Sequence, residues 1–451
     1  MDGPAENEQK SQQEHLLDLI KSENMNALQS EMVEMHPADI AEMLYRLGNE
    51  DQGSVFRLLS PEKSAEVLVE LDSPVSRAIL EDQDEEWLVS VIGTLDSDDA
   101  TDIIGELDEE TARHVLSAMP WKEFREVETL LRHEEDTAGG IMALEIVAVE
   151  ESKSAEQALE ALRRKSEEVE DVYNIYVIDA RGVLKGIVTL KDLVLADPQK
   201  RLSEIMDTEP IMVQENQDQE EVANLFTKYD LVAAPVVNVK GRLVGRITVD
   251  DVLEVLEEEA SEDITRMAGI TDDELQERSI LKLSRVRLPW LIIAFFGQMI
   301  SAFVLRNFES TVQQISTAVF FIPLVMAMGG NMGIQSATIL IRGLAIGDIR
   351  LRDSGRRILT EAGVGFLNGL VISLLLVGSV IIGWRDVRFG IVVGTALIAV
   401  LFNAALLGTL IPLILKRMGV DPAVATGPFI TTMNDIMGLL VYFGIITASM
   451  L

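Results

Sequence analysis

Apolar positions divide this chain into two regimes. Up to about position 282 they recur at helical or strand spacing among many charges, and beyond it they run together in long stretches. Five stretches of the second kind, at about Leu288–Leu305, Ile315–Ile341, Ala362–Ile382, Phe389–Leu415 and Ala423–Leu451, are nearly charge-free. At 1.5 Å per residue, each predicts a helix able to cross about 30 Å of hydrocarbon. An odd number of spans puts the two ends of the chain on opposite sides of a lipid membrane.

Before the spans, residues from about 16 to 133 repeat one pattern: a cap residue, acids, then apolar positions at helical spacing. It is clearest in His36-Pro-Ala-Asp-Ile-Ala-Glu-Met-Leu44 and Ser60-Pro-Glu-Lys-Ser-Ala-Glu-Val-Leu68, and looser from Ser97 to Leu107 and Asp108 to Leu116. Short capped helices that repeat in this way predict an all-α superhelical stack. The next segment alternates at strand spacing and repeats too. Gly182-Val-Leu-Lys-Gly-Ile-Val-Thr189-Leu-Lys-Asp192 recurs 59 residues later as Gly241-Arg-Leu-Val-Gly-Arg-Ile-Thr248-Val-Asp-Asp251, and Ile175–Ile178 matches Ala234–Val237 at the same offset. Each copy predicts a glycine turn, a β-branched strand and a helix capped by Thr-x-x-Asp.

Charge sharpens the division. Residues 1–282 carry 26 basic and 67 acidic side chains, a net of −41, whereas the remainder carries 12 and 7, a net of +5. Such an acidic half excludes a nucleic-acid partner, since phosphate binding needs clustered Lys and Arg. Cations are the natural partners. The chain has no Cys, and its four His (His15, His36, His114, His133) lack a ligand spacing, so any metal is held by oxygen and is a hard ion such as Mg²⁺ or Ca²⁺. No phosphate loop, nucleophile elbow or Cys/His pair predicts an enzyme. The first 14 residues hold no apolar run, so a disordered cytoplasmic tail rather than a cleaved signal is expected over 1–15. Loops on the side of the acidic half hold Lys282, Arg285, Arg287, Arg342, Arg350, Arg352, Arg356, Arg357, Lys416 and Arg417, against Arg306, Arg385 and Arg388 opposite. The positive-inside rule then puts the acidic half in the cytoplasm and the C-terminus outside, with Trp290 and Trp384 at span ends.

Asp435 is expected to be the only acid well inside any span. A lone carboxylate there costs several kcal/mol unless it lines water or meets a cation. Thr431, Thr432 and Asn434 add oxygens beside it, and Gly438 leaves room. Mg²⁺ gives up its water reluctantly and is held through it by one or two carboxylates, which suits this composition. In the second long stretch, Asn331, Gln335, Ser336 and Thr338 are four polar residues within eight, and Gly329, Gly330 and Gly333 are expected to weaken a continuous helix or to permit close packing. Between Asp250 and Asp263 stand eight acids and no base. A solvated helix face is the plain reading of that run, and a divalent-ion bridge is the alternative.

The tandem 59-residue repeat resembles a pair of CBS domains. With that module in place, the whole chain resembles the MgtE family of magnesium channels and transporters, most specifically over Pro323–Thr338, Thr431–Leu440 and Glu134–Gly140. The resemblance implies a multidomain fold: an acidic helical N domain at 16–134, CBS copies at 135–198 and 199–260, a connecting (plug) helix at 261–283, and a five-helix transmembrane domain at 284–451. It implies a homodimer in the plasma membrane with a Mg²⁺ pore formed mainly by the second and fifth spans, closed when cytosolic Mg²⁺ binds the acidic half. The regulatory ligands it implies are Asp98, Asp102, the Gly140 carbonyl, Asp218, Glu220, Asp230, Asp251, Glu254, Glu259, Glu262, Asp263 and Asp421. Thr189 and Asp192 are candidate ATP contacts, although helix capping explains both and Asn174 stands where an aromatic ring would stack on adenine. A coupled transporter of Mn²⁺, Co²⁺ or Mg²⁺ is the alternative function, and a membrane sensor without transport is a third.

Overall fold

The computed structural model describes residues 19–20, 24–71, 73–81, 83–165, 169, 172–268, 270, 279–345, 349, 354–425 and 428–451. The expected tail at 1–15, most of the middle of the expected connecting helix, and Arg350 and Arg352 lie outside them. The chain divides after Leu256 into two compact units.

The first unit opens with nine short helices among the described residues: α1 (Met25–Met32), α2 (Pro37–Leu44), α3 (Asn49–Phe56), α4 (Pro61–Val69), α5 (Ser73–Leu80), α6 (Glu85–Ile92), α7 (Ser97–Glu106), α8 (Glu109–Ala118) and α9 (Trp121–Leu130). Local chemistry starts several of them. His36 and Ser60, each just before a first-turn proline, accept from the backbone N–H groups of Ala38 and Lys63, and Asp84 and Asp108 cap α6 and α8. Too short to be stable alone, these helices pack each against the next but one, α2 on α4, α4 on α6, α6 on α8 and α7 on α9. Their apolar faces merge into one core from Leu28 to Val127. The expected superhelical stack is therefore present.

Two small sheets follow. In the first, β1 (Ala148–Glu150) pairs parallel with β2 (Asn174–Ile178), which pairs antiparallel with β3 (Leu184–Thr189). The second repeats the plan with β4 (Val213–Gln214), β5 (Ala233–Val237) and β6 (Leu243–Thr248). The copies share even their irregularity, a register shift at Val177/Ile178 and at Val236/Val237. Gly182 and Gly241 turn β2 into β3 and β5 into β6 at φ of 79° and 70°, a region that a Cβ disfavours. Helices α10 (Ala155–Lys165), α11 (Leu190–Leu195) and α12 (Gln219–Tyr229) cover the sheets. After β6 the chain enters α13 (Val249–Ala268), one unbroken helix that takes in the first residues of the expected connecting helix.

The second unit holds α14 (Ile280–Asn307), the short α15 (Glu309–Gln314), α16 (Ile322–Ala345), α17 (Ser354–Trp384), α18 (Val387–Arg417) and α19 (Pro428–Met450). Five helical segments, with a 3₁₀ turn extending α16 back to Ser316, are long and apolar enough to span a membrane. The most enclosed is α18, half of whose apolar window is buried, and α16, α17 and α19 pack around it. Of the two readings of the α16 glycines, close packing is the one seen. They do not interrupt the helix, which is continuous, and Gly333 lets neighbours approach, since a Cβ there would lie 1.9 Å from Asn434 Nδ2. The expectation about Asp435 is corrected: it is not the only acid within a span helix. The third helix begins at Ser354 rather than Ala362 and carries Glu361, 4% exposed, which accepts from Ser336 Oγ at 2.9 Å and pairs with Arg357 at 2.6 Å.

Candidate ion pathway and acidic cation sites

The membrane-spanning unit builds its polar centre where three helices meet. Gly408 of α18 lies so close to α16 that a Cβ would stand 2.3 Å from the Gly333 carbonyl. Asn434 of α19 is buried beside Gly333, which sets it inside the bundle, away from the open side of α19. On the next residue, Asp435 is half-buried and its Oδ2 accepts from Gln298 Nε2 of α14 at 2.5 Å. Thr432, one turn earlier on α19, fits its methyl against Gly297, where a Cβ would come within 2.0 Å of Cγ2. Thr431 is half-buried. Asn331, Gln335 and Thr338 share one exposed face of α16 with Ile334, whereas Ser336 turns inward to Glu361. An amide stripe on a helix of this apolarity is costly against lipid.

The first unit gathers carboxylates where α7 meets the sheet of the second repeat. One oxygen each from Asp96, Asp98 and Glu145 lie within 4.8 Å of one another. Ser97 holds the assembly: its hydroxyl donates to Glu145 Oε2 at 2.8 Å and accepts from Leu144 N at 2.9 Å. Asp251, at the start of α13, accepts through Oδ2 from Thr248 N and Oγ1 at 2.8 and 2.9 Å. Burial, and then Asp251, push Asp98 well above the usual carboxylate range. The same causes raise Asp99 to about 8, with Asp96, Asp102 and Glu254 contributing, and burial raises Asp251 to about 6. The buried Arg246, 3.8 Å from Asp96, is the basic side chain in the midst of these acids. Like charges at this spacing repel by about 3–4 kcal/mol per pair in a half-solvated setting, so the arrangement calls for protons or a cation.

A second acidic group lies within the other unit. Arg266 donates to Asp421 Oδ2 at 2.5 Å and pairs with Glu262 one turn before it. Burial, then Asp421 and Glu259, raise Asp263 above its ordinary value.

The structure thus brings together Asp98, Asp102, Asp251 and Glu254 in one place, and Glu259, Glu262, Asp263 and Asp421 in another. It does not unite the rest. Asp218 caps the start of α12, next to Glu220, and Asp230 ends that helix in left-handed conformation at φ 51°. The 11-residue helix between Asp218 and Asp230 sets them about 18 Å apart, too far to share an ion within one chain. Gly140 sits in a tight turn whose N–H donates to Thr137, against which Asp218 forms a bridge. Thr189 caps α11 and donates to Asp192 Oδ2 at 2.7 Å. Sequence reasoning missed Gln298, Asp96, Asp99, Glu145, Arg266 and Glu361. Asp96 and Asp99 were visible as acid density around Asp98, but Glu145 is 47 residues from Asp98 and carried no local signal.

A half-buried acid in the fifth of five apolar helices, on a chain that also carries a helical stack and a pair of α/β modules, defines a multi-span membrane transport protein rather than an enzyme. The family model described as "Divalent cation transporter" matches residues 322–445, the MgtE intracellular N domain matches 35–136, and CBS domains match 138–198 and 202–258. The chain is 39% identical to the magnesium transporter MgtE of Thermus thermophilus, over 95% of this chain and 96% of that one. With the magnesium transporter MgtE of Enterococcus faecalis it shares 35% identity over 95% of each. Its fold is similar to the crystal structure of the cytosolic domain of the Mg²⁺ channel MgtE in complex with ATP, at 38% identity and TM-score 0.51, over 53% of this chain and 98% of that one. The chain belongs to the MgtE family of magnesium transporters.

Proposed function

We propose that this protein is a Mg²⁺-selective channel of the plasma membrane, acting as a homodimer with its acidic unit in the cytoplasm and its C-terminus outside. The observation that carries the reading is the half-buried carboxylate of Asp435 in the fifth span helix. A single carboxylate per subunit, doubled by a two-fold axis, suits an ion recognised through its water shell. Asn331, Gln335 and Thr338, the exposed polar stripe of α16, face the water-filled side of that pore, and Thr431 and Thr432 add oxygens on α19. The orientation follows from the excess of Lys and Arg on loops beside the acidic half.

Cytosolic Mg²⁺ closes the channel in this reading. The ligand sets are all oxygen, which fits Mg²⁺ and excludes softer ions. Asp98, Asp102, Asp251 and Glu254, with Asp96, Asp99 and Glu145, form one set, and Glu259, Glu262, Asp263 and Asp421 form the other. Bound Mg²⁺ supplies the positive charge that lets these carboxylates stay close. Without it, their repulsion spreads the helical stack from the CBS pair, and that change passes along α13 toward the first span. Asp218, Glu220, Asp230 and the Gly140 carbonyl remain candidate ligands between the subunits of a dimer. ATP is a second regulatory ligand at Thr189 and Asp192, beside the exposed Tyr173. Thr189 is one of its contacts in this reading, so calorimetric titration with ATP should give weaker binding in T189V.

Single-channel recording from patches with Mg²⁺ varied on the cytoplasmic face tests the proposal. Open probability should fall as Mg²⁺ rises, and current should reverse where the Mg²⁺ gradient alone dictates. Flux that follows imposed Na⁺ or H⁺ gradients at zero potential favours the coupled transporter instead.

A further inference from the structure

Of the two carboxylate oxygens of Asp435, one is already engaged. Gln298 Nε2 donates to Oδ2 at 2.5 Å, from the first span helix to the fifth. The contact is built rather than incidental, because the residue before Gln298 sets the approach. Gly297 is buried, and a Cβ on it would overlap the Thr432 methyl, so only glycine lets α14 close on α19 at this level. Thr432 and Asp435 are three residues apart and share a face of α19. Closing Gly297 on Thr432 therefore carries Gln298 onto Asp435.

We propose that Gln298 is a positioning residue that holds Oδ2 of Asp435, leaves Oδ1 as the single oxygen offered to the ion, and thereby selects against Ca²⁺. The proposal rests on the reading of Asp435 as the ion site. Its chemistry follows from what an amide can and cannot do. An NH₂ group donates strongly to a carboxylate yet carries no charge, so the site keeps its full attraction for a divalent cation. Lys or Arg at this position would cancel that charge, and an apolar residue would leave the carboxylate free to turn both oxygens to the ion. The number of free oxygens matters because the two ions differ in what they ask of a carboxylate. Ca²⁺ takes six to eight oxygens and accepts bidentate carboxylates, whereas Mg²⁺ demands six in octahedral order and keeps much of its water. One free oxygen suffices to accept a hydrogen bond from the water of a hydrated Mg²⁺, and it denies Ca²⁺ the chelate that would offset its loss of water.

The test uses the full-length protein in proteoliposomes, with Mg²⁺ and Ca²⁺ influx measured separately at matched concentration and potential. Q298M keeps the length and approximate volume of the side chain without the donor, and Q298L removes the donor with a shorter, branched side chain. In either variant the Ca²⁺/Mg²⁺ flux ratio should rise at least about tenfold, the equivalent of losing one hydrogen bond to a charged group, while Mg²⁺ flux persists. A residue that only filled space would leave the ratio of Q298M unchanged, and an unchanged ratio in whichever of the two variants reconstitutes overturns the proposal. A separate result, wild-type Mg²⁺ flux in D435N, removes the underlying reading of Asp435 without bearing on whether the ratio moves.

Discussion

Arg266 and Asp421, 155 positions apart in sequence, are joined by a hydrogen-bonded ion pair of 2.5 Å, and the same guanidinium pairs with Glu262. A tethered cation thus sits among the acids that the proposed function gives to Mg²⁺. Arg266 should compete with the free ion, and its removal should tighten Mg²⁺ binding there. In R266Q the cytoplasmic Mg²⁺ concentration that halves open probability should fall by about three- to tenfold, a modest range because the pair is part-exposed and screened. Patch recordings across a Mg²⁺ series measure it. An increase in the half-closing concentration would show that Arg266 holds the closed form together.

The raised carboxylates of the first unit give a pH dependence of definite sign. Asp98, Asp99 (about 8) and Asp251 (about 6) bind protons more tightly in the folded chain than when unfolded. Between about pH 4 and pH 8 the folded form therefore holds more protons, and stability falls as pH rises through that window. Residues 1–268 without divalent ions should melt at lower temperature at pH 8 than at pH 6. Mg²⁺ should raise the melting temperature most at pH 8 and flatten the dependence. Calorimetry in two buffers of different ionisation enthalpy should show proton release on Mg²⁺ binding near pH 7.

Glu361 makes a prediction about stability rather than ion passage. It is buried, accepts from Ser336 of α16 and pairs with Arg357 of its own helix. Truncating one partner of a buried ion pair costs about 3–5 kcal/mol because the other charge is stranded. E361A should therefore lower the unfolding temperature in detergent markedly, while E361Q, which keeps an acceptor for Ser336, should lose less. Equal losses would mean that the hydrogen bond from Ser336 contributes nothing beyond the pairing of the carboxylate charge with Arg357.

These residues also mark how far the sequence could be read. The five spans, the capped helical stack and the twofold CBS-like repeat were legible because each rests on local periodicity or on an internal match, and Gly182 and Gly241 repeat even their backbone conformation. Glu361 was hidden for a physical reason: Arg357 sits one helical turn before it, so a neutralised pair read as the polar loop before a span. The glycines of α16 allow two readings in the sequence, a weakened helix or close packing, because glycine disfavours an isolated helix; packing decides, and Gly333 admits Asn434 without breaking the helix. Gln298 and Glu145 gave no signal because their partners, Asp435 and Asp98, are remote in sequence.

The glycines themselves are testable. A Cβ at Gly333 would overlap Asn434 and one at Gly297 would overlap Thr432, whereas at Gly330 nothing lies within 4 Å. G333A and G297A should each reduce the yield of folded protein in size-exclusion chromatography, and G330A should behave as wild type. A well-folded G333A would mean that α16 and α19 can separate without loss.

The most direct measurement is Mg²⁺ influx into proteoliposomes containing D435N at saturating external Mg²⁺ and with no Mg²⁺ on the cytoplasmic face. The substitution preserves shape and removes the charge. Influx should drop to the level of protein-free vesicles while the protein elutes as the wild type does. Influx at the wild-type rate would contradict the account, since it would show that the ion does not depend on the carboxylate of Asp435.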